Sequence, residues 1–158
     1  MQLPVNLLVL GDGILLSAMR AASASQRVHF EGFVNQSAMP AVLSLGDILA
    51  LPSSFEPWGL VVNEALAVGL LPVVSDSVGC APDLVEGLGE VFPTSDIEEF
   101  ANALDRAVRR LSLPEWRHEA AIRNAEYSIS RTAEGFSRAA MAACRHSAGF
   151  VPMELGDG

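Results

Sequence analysis

Short apolar stretches alternating with segments of helical spacing constrain this chain more than any other feature. NLLVLGDG (6–13), RVHFEGF (27–33), DILALPS (47–53), LLPVVSD (70–76) and GEVFP (89–93) each read as a strand stopped by glycine, proline or aspartate. Between them, ILLSAMRAASAS (14–25), SAMPAVLSLG (37–46), a run starting near Leu60, and APDLVE (81–86) carry helix signals. Strands that return through helices run parallel, and a parallel sheet is covered on both faces. The expected class is therefore α/β, with three layers.

From Thr94 onward the pattern is wholly helical. TSDIEEFANALDRAVRRLS offers Thr94, Ser95 or Asp96 as a cap, and Ile97, Phe100, Ala101, Leu104, Val108 and Leu111 as the buried face. Pro114 opens a second helix and SRTAEGFSRAAMAACRHS forms a third, whereas residues 148–158 lack periodicity and read as a loose tail. The length and the 50% apolar content suit one domain, spanning 1–147. No apolar run approaches the roughly 20 residues that cross a bilayer, and no charged-then-apolar leader opens the chain, so the expected location is cytoplasmic.

Net charge is −9 and all 10 basic residues are arginine, a balance that argues against nucleic-acid partners. Arg106, Arg109 and Arg110 fall on one helix and should pair with Glu98, Glu99 and Asp105; a membrane-facing role, peripheral to the inner membrane, is the lesser alternative. Cys80 and Cys144 match no metal or redox spacing, so both should be reduced, with Cys80 a packing residue rather than a nucleophile. His29, His118 and His146 have no metal-ligand spacing, and no metal is expected. Gly11-Asp12-Gly13 follows a strand, but Leu16 stands where a dinucleotide fingerprint needs its third glycine, so a turn is the default. Ser75-Asp76-Ser77 also follows a strand and is read either as site lining or as a plain loop.

The stretch SSFEPWGLVVNEALAVGL (53–70) places two carboxylates where they need explaining. Glu56 lies among turn formers and large rings, and Glu64 lies in a nearly all-round apolar helix, which is expected to be buried. Ligands of open parallel sheets bind beyond the carboxyl ends of the strands, and residues 53–59 occupy that position. Gly59 admits close approach, while the free N–H groups near Leu60 suit a phosphate. Glu64, one turn on, could accept from a ribose diol, and Glu56 from a sugar. Taken residue by residue, the plainer reading is a helix cap and a backbone-bonded buried acid, and spacing leaves both readings open.

The passage GDILALPSSFEPWGLVVNEALAVGLLPVVSDSVGCAPDLV resembles the donor-binding half of retaining glycosyltransferases of the GT-B fold, glycosyltransferase family 4 (group 1). Glu56 and Glu64 match its Glu-x7-Glu pattern, set in Glu-Pro-aromatic-Gly-Leu and followed by Glu-Ala-x-Ala-x-Gly; the likeness runs over roughly residues 7–111. The resemblance implies a Rossmann-like sheet and a nucleotide-diphosphate sugar as substrate, with no metal or other cofactor. It implies Glu56 as the catalytic residue touching the transferred sugar, Gly59 and Leu60 giving amides to the diphosphate within a donor-binding Pro57-Trp58 loop, and Glu64 on the ribose. Phe33 and Val34 would border the base.

The family's arginine and lysine on the diphosphate, its acceptor-binding domain and the central first strand have no counterpart in these 158 residues. The family's Gly-Leu-Pro also reads Gly69-Leu70-Leu71-Pro72. The expectation is thus an incomplete donor domain, inactive alone, needing a second chain or an N-terminal domain and acting on an unknown saccharide or lipid acceptor. Strands 7–10 and 47–51 would pair directly, take a strand from another chain, or leave aggregation-prone edges. The alternatives are a non-catalytic nucleotide-sugar-binding or interaction module of the same fold and, less favoured by Glu-Pro-Trp-Gly-Leu, an epimerase half.

Overall fold

The computed structural model describes residues 5–23, 25–113 and 115–147. The chain divides into two compact units, Met1–Gly46 and Asp47–Gly158. Every strand and helix expected above forms. The tail at 148–158 lies outside the described residues.

In the first unit, β1 (Leu7–Leu10) and β2 (Val28–Gly32) pair in parallel, with α1 (Leu16–Ala22) between them and α2 (Met39–Leu43) after them. The register slips between Val9 and Leu10, where Leu10 aligns with Gly32. Gly11, at φ 112, then donates its N–H to the Gly32 carbonyl at 2.7 Å, and Asp12 Oδ1 accepts from the Gly13 amide at 2.8 Å. Gly11-Asp12-Gly13 is thus a self-bonded turn. Leu43 is the one apolar residue fully buried in this unit among the described residues; Leu7, Leu8, Ile14, Leu15 and Met19 are exposed.

The core sits in the second unit. There β3 (Ile48–Leu51), β4 (Leu71–Ser75) and β5 (Glu90–Phe92) form a parallel sheet in that order. Every residue of β4 is buried, as a central strand covered on both faces requires. Pro72 is tolerated at its start: Leu71 donates towards β3, to the Asp47 carbonyl at 2.9 Å, and pairing with β5 begins only at Val73. Direct pairing of strands 7–10 and 47–51 is not seen. Those strands belong to separate sheets, and among the described residues β1 pairs only with β2 and β3 only with β4.

Helix α3 (Leu60–Ala67) joins β3 to β4 and ends in a Schellman motif. Gly69, at φ 84, donates to the Leu66 carbonyl at 3.2 Å and Leu70 to the Ala65 carbonyl at 2.9 Å. A five-residue π-helical stretch, Ala81–Val85, joins β4 to β5; Glu86 donates to the Ala81 carbonyl at 3.0 Å. The helical C-terminal third comprises α4 (Ile97–Arg110), α5 (Glu115–Glu126) and α6 (Ile129–Ser147).

Asp96 caps α4, its carboxylate accepting from the Glu99 amide at 2.9 Å. The buried stripe of α4 differs from the expected one. Ile97 and Ala101 are exposed, and the fully buried residues are Ala103 and Ala107, whose small side chains let the helix lie close against β4 and β5 with Phe100, Leu104 and Leu111 alongside. Arg106 does pair with Glu99, at 2.8 Å, but its shorter contact is to Glu90 of β5, at 2.6 Å, and Arg110 also reaches Glu90, at 3.7 Å. Glu98, Asp105 and Arg109 form no ion pair among the described residues: Arg106 and Arg110 reach a half-buried acid that sequence spacing along the helix could not reveal. Among the described residues no helix is long and apolar enough to cross a membrane.

Candidate functional site

The loop 53–59 leaves the carboxyl end of β3 and is fixed by backbone bonds to the loop that leaves β4. Glu56 donates its N–H to the Ser77 carbonyl at 3.2 Å; the Gly79 amide donates to the Glu56 carbonyl at 2.8 Å, and the Cys80 amide to the Trp58 carbonyl at 2.9 Å. This adds a short parallel rung beyond the regular sheet. Gly79 makes the approach feasible, because a Cβ there would lie 2.0 Å from the Pro57 carbonyl oxygen.

Gly59 turns this loop into α3. Its φ of 97 and ψ of 59 lie in the left-handed region, and an added Cβ would also meet Val78 Cγ1 at 3.0 Å. The Gly59 carbonyl accepts from the Val62 amide at 2.8 Å, whereas the amides of Gly59, Leu60 and Val61 have no acceptor among the described residues. These are the orphan donors of a helix start, and no side chain caps them.

Glu56 precedes this helix start and Glu64 lies within its first two turns; both residues are half-buried. Glu56 is half-buried, its Cγ 3.5 Å from where a Gly59 Cβ would stand, and its Oε1 accepts from the Trp58 amide at 3.4 Å. Glu64 is half-buried one turn after Leu60, on the face of α3 that carries exposed Leu60 and Ala67. The expectation of a helix buried all round is therefore corrected. Val62, Ala65 and Leu66 are buried, but Leu60 is 71% exposed, so Glu64 needs no buried partner.

Trp58 is held on two sides. Its indole N–H donates to Asn63 Oδ1 at 3.0 Å, and its ring lies 5.9 Å from that of Tyr127, whose hydroxyl donates to Asp83 in the π-helical stretch at 2.7 Å. That bond to Asp83 raises the Tyr127 pKa. Pro57 and Phe55 are exposed at the loop surface. Phe33, 79% exposed, and half-buried Val34 follow β2 in the first unit, outside the unit that carries the other candidates.

Ser75-Asp76-Ser77 works as a brace. Buried Ser75 donates its hydroxyl to the Ser53 carbonyl, Asp76 accepts from both the amide and the hydroxyl of Thr94, and Ser77 shares a hydrogen bond with the same hydroxyl. The Thr94 hydroxyl, then its amide, lower the Asp76 pKa. Cys80 is fully buried beside Gly59, and burial pushes its pKa up to about 11, which suits packing and not nucleophilic work. Cys144 is free and exposed. His29 lies on β2 and His118 on α5.

Sequence reasoning missed Gly79, Asn63, Thr94 and Tyr127. Of these only Asn63 carried a readable signal: a tryptophan in an apolar setting needs an acceptor for its N–H, and Asn63 interrupts the run that follows.

Known proteins extend this picture. The family model for glycosyl transferases group 1 matches residues 1–110. The alpha-D-kanosaminyltransferase of Streptomyces kanamyceticus is 31% identical over 130 residues, 77% of this chain and 33% of that enzyme. The glycogen synthase of Serratia proteamaculans is 31% identical over 125 residues, 71% of this chain and 26% of the enzyme. Anabaena Alr3699/HepE, solved in complex with UDP and glucose, superposes with a TM-score of 0.73 at 20% identity, over 89% of this chain and 41% of that one. The sucrose-phosphate synthase of Thermosynechococcus elongatus gives 0.65 at 25% identity, over 87% and 39%. The chain thus spans about a third or less of these two curated relatives, and its fold is that of GT-B glycosyltransferases. By the family match over residues 1–110, this chain belongs to the group 1 glycosyltransferases.

Proposed function

We propose that the chain is the donor-binding part of a retaining glycosyltransferase that moves a hexose from a nucleotide-diphosphate sugar to a saccharide or lipid acceptor, in the cytoplasm and without a metal. One observation carries this reading: the amides of Gly59, Leu60 and Val61 have no acceptor among the described residues, with half-buried Glu56 just before this helix start and half-buried Glu64 one turn after Leu60. Amides at a helix start suit an anionic diphosphate, and carboxylates suit neutral hydroxyls, so the arrangement sorts a nucleotide sugar by charge along its length. Glu56 takes the hexose, Glu64 the ribose, and the Gly59 and Leu60 amides the diphosphate, within the donor-binding Pro57-Trp58 loop. The UDP and glucose bound by Alr3699/HepE support a donor of this class. The acceptor side comes from a second chain or a further domain.

Thermal unfolding with UDP, GDP and ADP tests the reading. One diphosphate at about 100 times its Kd should stabilise the protein by about 2.7 kcal/mol. Glu64→Ala should remove that gain. No stabilisation by any of the three defeats the proposal.

A further inference from the structure

Trp58 stands at the centre of the donor loop, yet the polar atom of its indole is already committed. Its N–H donates to Asn63 on α3, and its ring rests against Tyr127, just past α5, which is itself tied to Asp83. The backbone of the same residue is also bonded: the Trp58 amide donates to Glu56 Oε1, and the Trp58 carbonyl accepts from the Cys80 amide. A side chain anchored at two points is therefore continuous with a backbone unit whose amide bonds the Glu56 carboxylate.

We propose that Asn63 and Tyr127 are positioning residues for this site, holding the Trp58 indole so that the Trp58 backbone amide fixes the orientation of Glu56. The inference rests on the donor-binding reading and deepens it: the hexose-specific part of recognition depends on two residues that do not touch the ligand, one of them in the helical C-terminal third. The two anchors are chemically different. Asn63 supplies an acceptor in a defined direction, whereas Tyr127 supplies a ring face whose place is set by its own bond to Asp83. Loss of either lets the indole turn, and the weak 3.4 Å contact from the Trp58 amide to Glu56 is the first to fail.

Two readouts on the full chain test this. Without ligand, the two tryptophans give two indole N–H signals in a proton–nitrogen correlation spectrum, assigned with Trp58→Phe. Asn63→Ala should move the Trp58 signal upfield as its hydrogen bond is lost, Asn63→Asp should keep it, and Tyr127→Ala should shift it more than Tyr127→Phe does. With ligand, calorimetry compares UDP, GDP and ADP with their glucose esters. In Asn63→Ala and Tyr127→Ala the affinity gained from the sugar should fall about fivefold to tenfold, the effect of one lost hydrogen bond. Affinity for the bare diphosphate should stay within about twofold. An unmoved indole signal, an unchanged sugar increment, or an equal fall for diphosphate and ester overturns the proposal. If the unaltered chain binds no diphosphate at all, the donor-site reading falls and takes the sugar increment with it; the indole signals then show separately whether the anchors exist.

Discussion

Gly79→Ala should be a severely damaging single-methyl change in the second unit. The backbone conformation at residue 79 is open to alanine, so the effect is purely steric. The new Cβ would stand 2.0 Å from the Pro57 carbonyl oxygen and 2.7 Å from its carbon, where a comfortable carbon–oxygen contact needs about 3.3 Å. Backbone atoms cannot swing aside, so loops 53–59 and 75–80 must separate by more than ~1 Å. That movement carries the bonds from Gly79 to Glu56 and from Cys80 to Trp58, at 2.8 and 2.9 Å, out of range. Two net backbone bonds at about 1 kcal/mol each, with partial relaxation of a clash of about 1–3 kcal/mol, give a loss of about 2–4 kcal/mol. Gly69→Ala is the control: its Cβ meets nothing within 4 Å, but φ is 84, so it should cost only the left-handed strain of about 1 kcal/mol. Urea unfolding followed by tryptophan fluorescence reports this unit, since Trp58 and Trp116 both lie in it. Equal costs for the two variants would show that the loops are not in fixed contact and would refute the reasoning.

Two further tests concern titrating groups. The carboxyl of Asp76 has its pKa lowered from 3.8 by the Thr94 hydroxyl and amide, so its contribution to stability is present above the unfolded pKa and is lost as pH falls through the lower folded one. Thr94→Val should shrink the stability lost on acidification below about pH 4, read as the difference between urea midpoints at neutral and acid pH, while Ser95→Ala should leave that difference unchanged. Iodoacetamide at neutral pH should label exposed Cys144 and spare Cys80, whose thiol is buried and whose pKa is raised to about 11. Rapid labelling of Cys80 in the native protein, found by peptide mass mapping, would mean that the Gly59 turn opens.

The order of elements was legible because each strand is short, apolar and closed by a turn former, and length and flanking glycine or proline separate such segments from helices where period alone does not. Asp96 as the α4 cap was legible for the same local reason. What sequence could not supply was anything set by packing direction. The α4 stripe was misplaced by a fraction of a turn because alanine signals burial weakly, and Ala103 and Ala107 are the residues that touch the sheet. Glu90 escaped notice as an arginine partner since it lies 16 residues from Arg106 and is brought there by the β5–α4 connection. The openness of α3 was hidden because Leu60 and Val61 look like core residues wherever they stand.

The site side of the second unit is built from irregular backbone, and its irregularities support one another. The loop after β3 is tied to the loop after β4 by Ser75 and by the rung at Glu56 and Val78; the loop after β4 is tied to the start of the segment after β5 by Asp76 and Thr94. Each tie uses a backbone group that the regular sheet leaves unpaired at its carboxyl end, so satisfying those groups and stiffening the loops are the same event. The exception is the short row of amides from Gly59 to Val61, which this belt surrounds but does not bond. Donors already held in stiff surroundings leave little further ordering cost for an anion that meets them. The left-handed turn at Gly59, which glycine adopts without strain, is the link between β3 and α3 from which that row of amides starts.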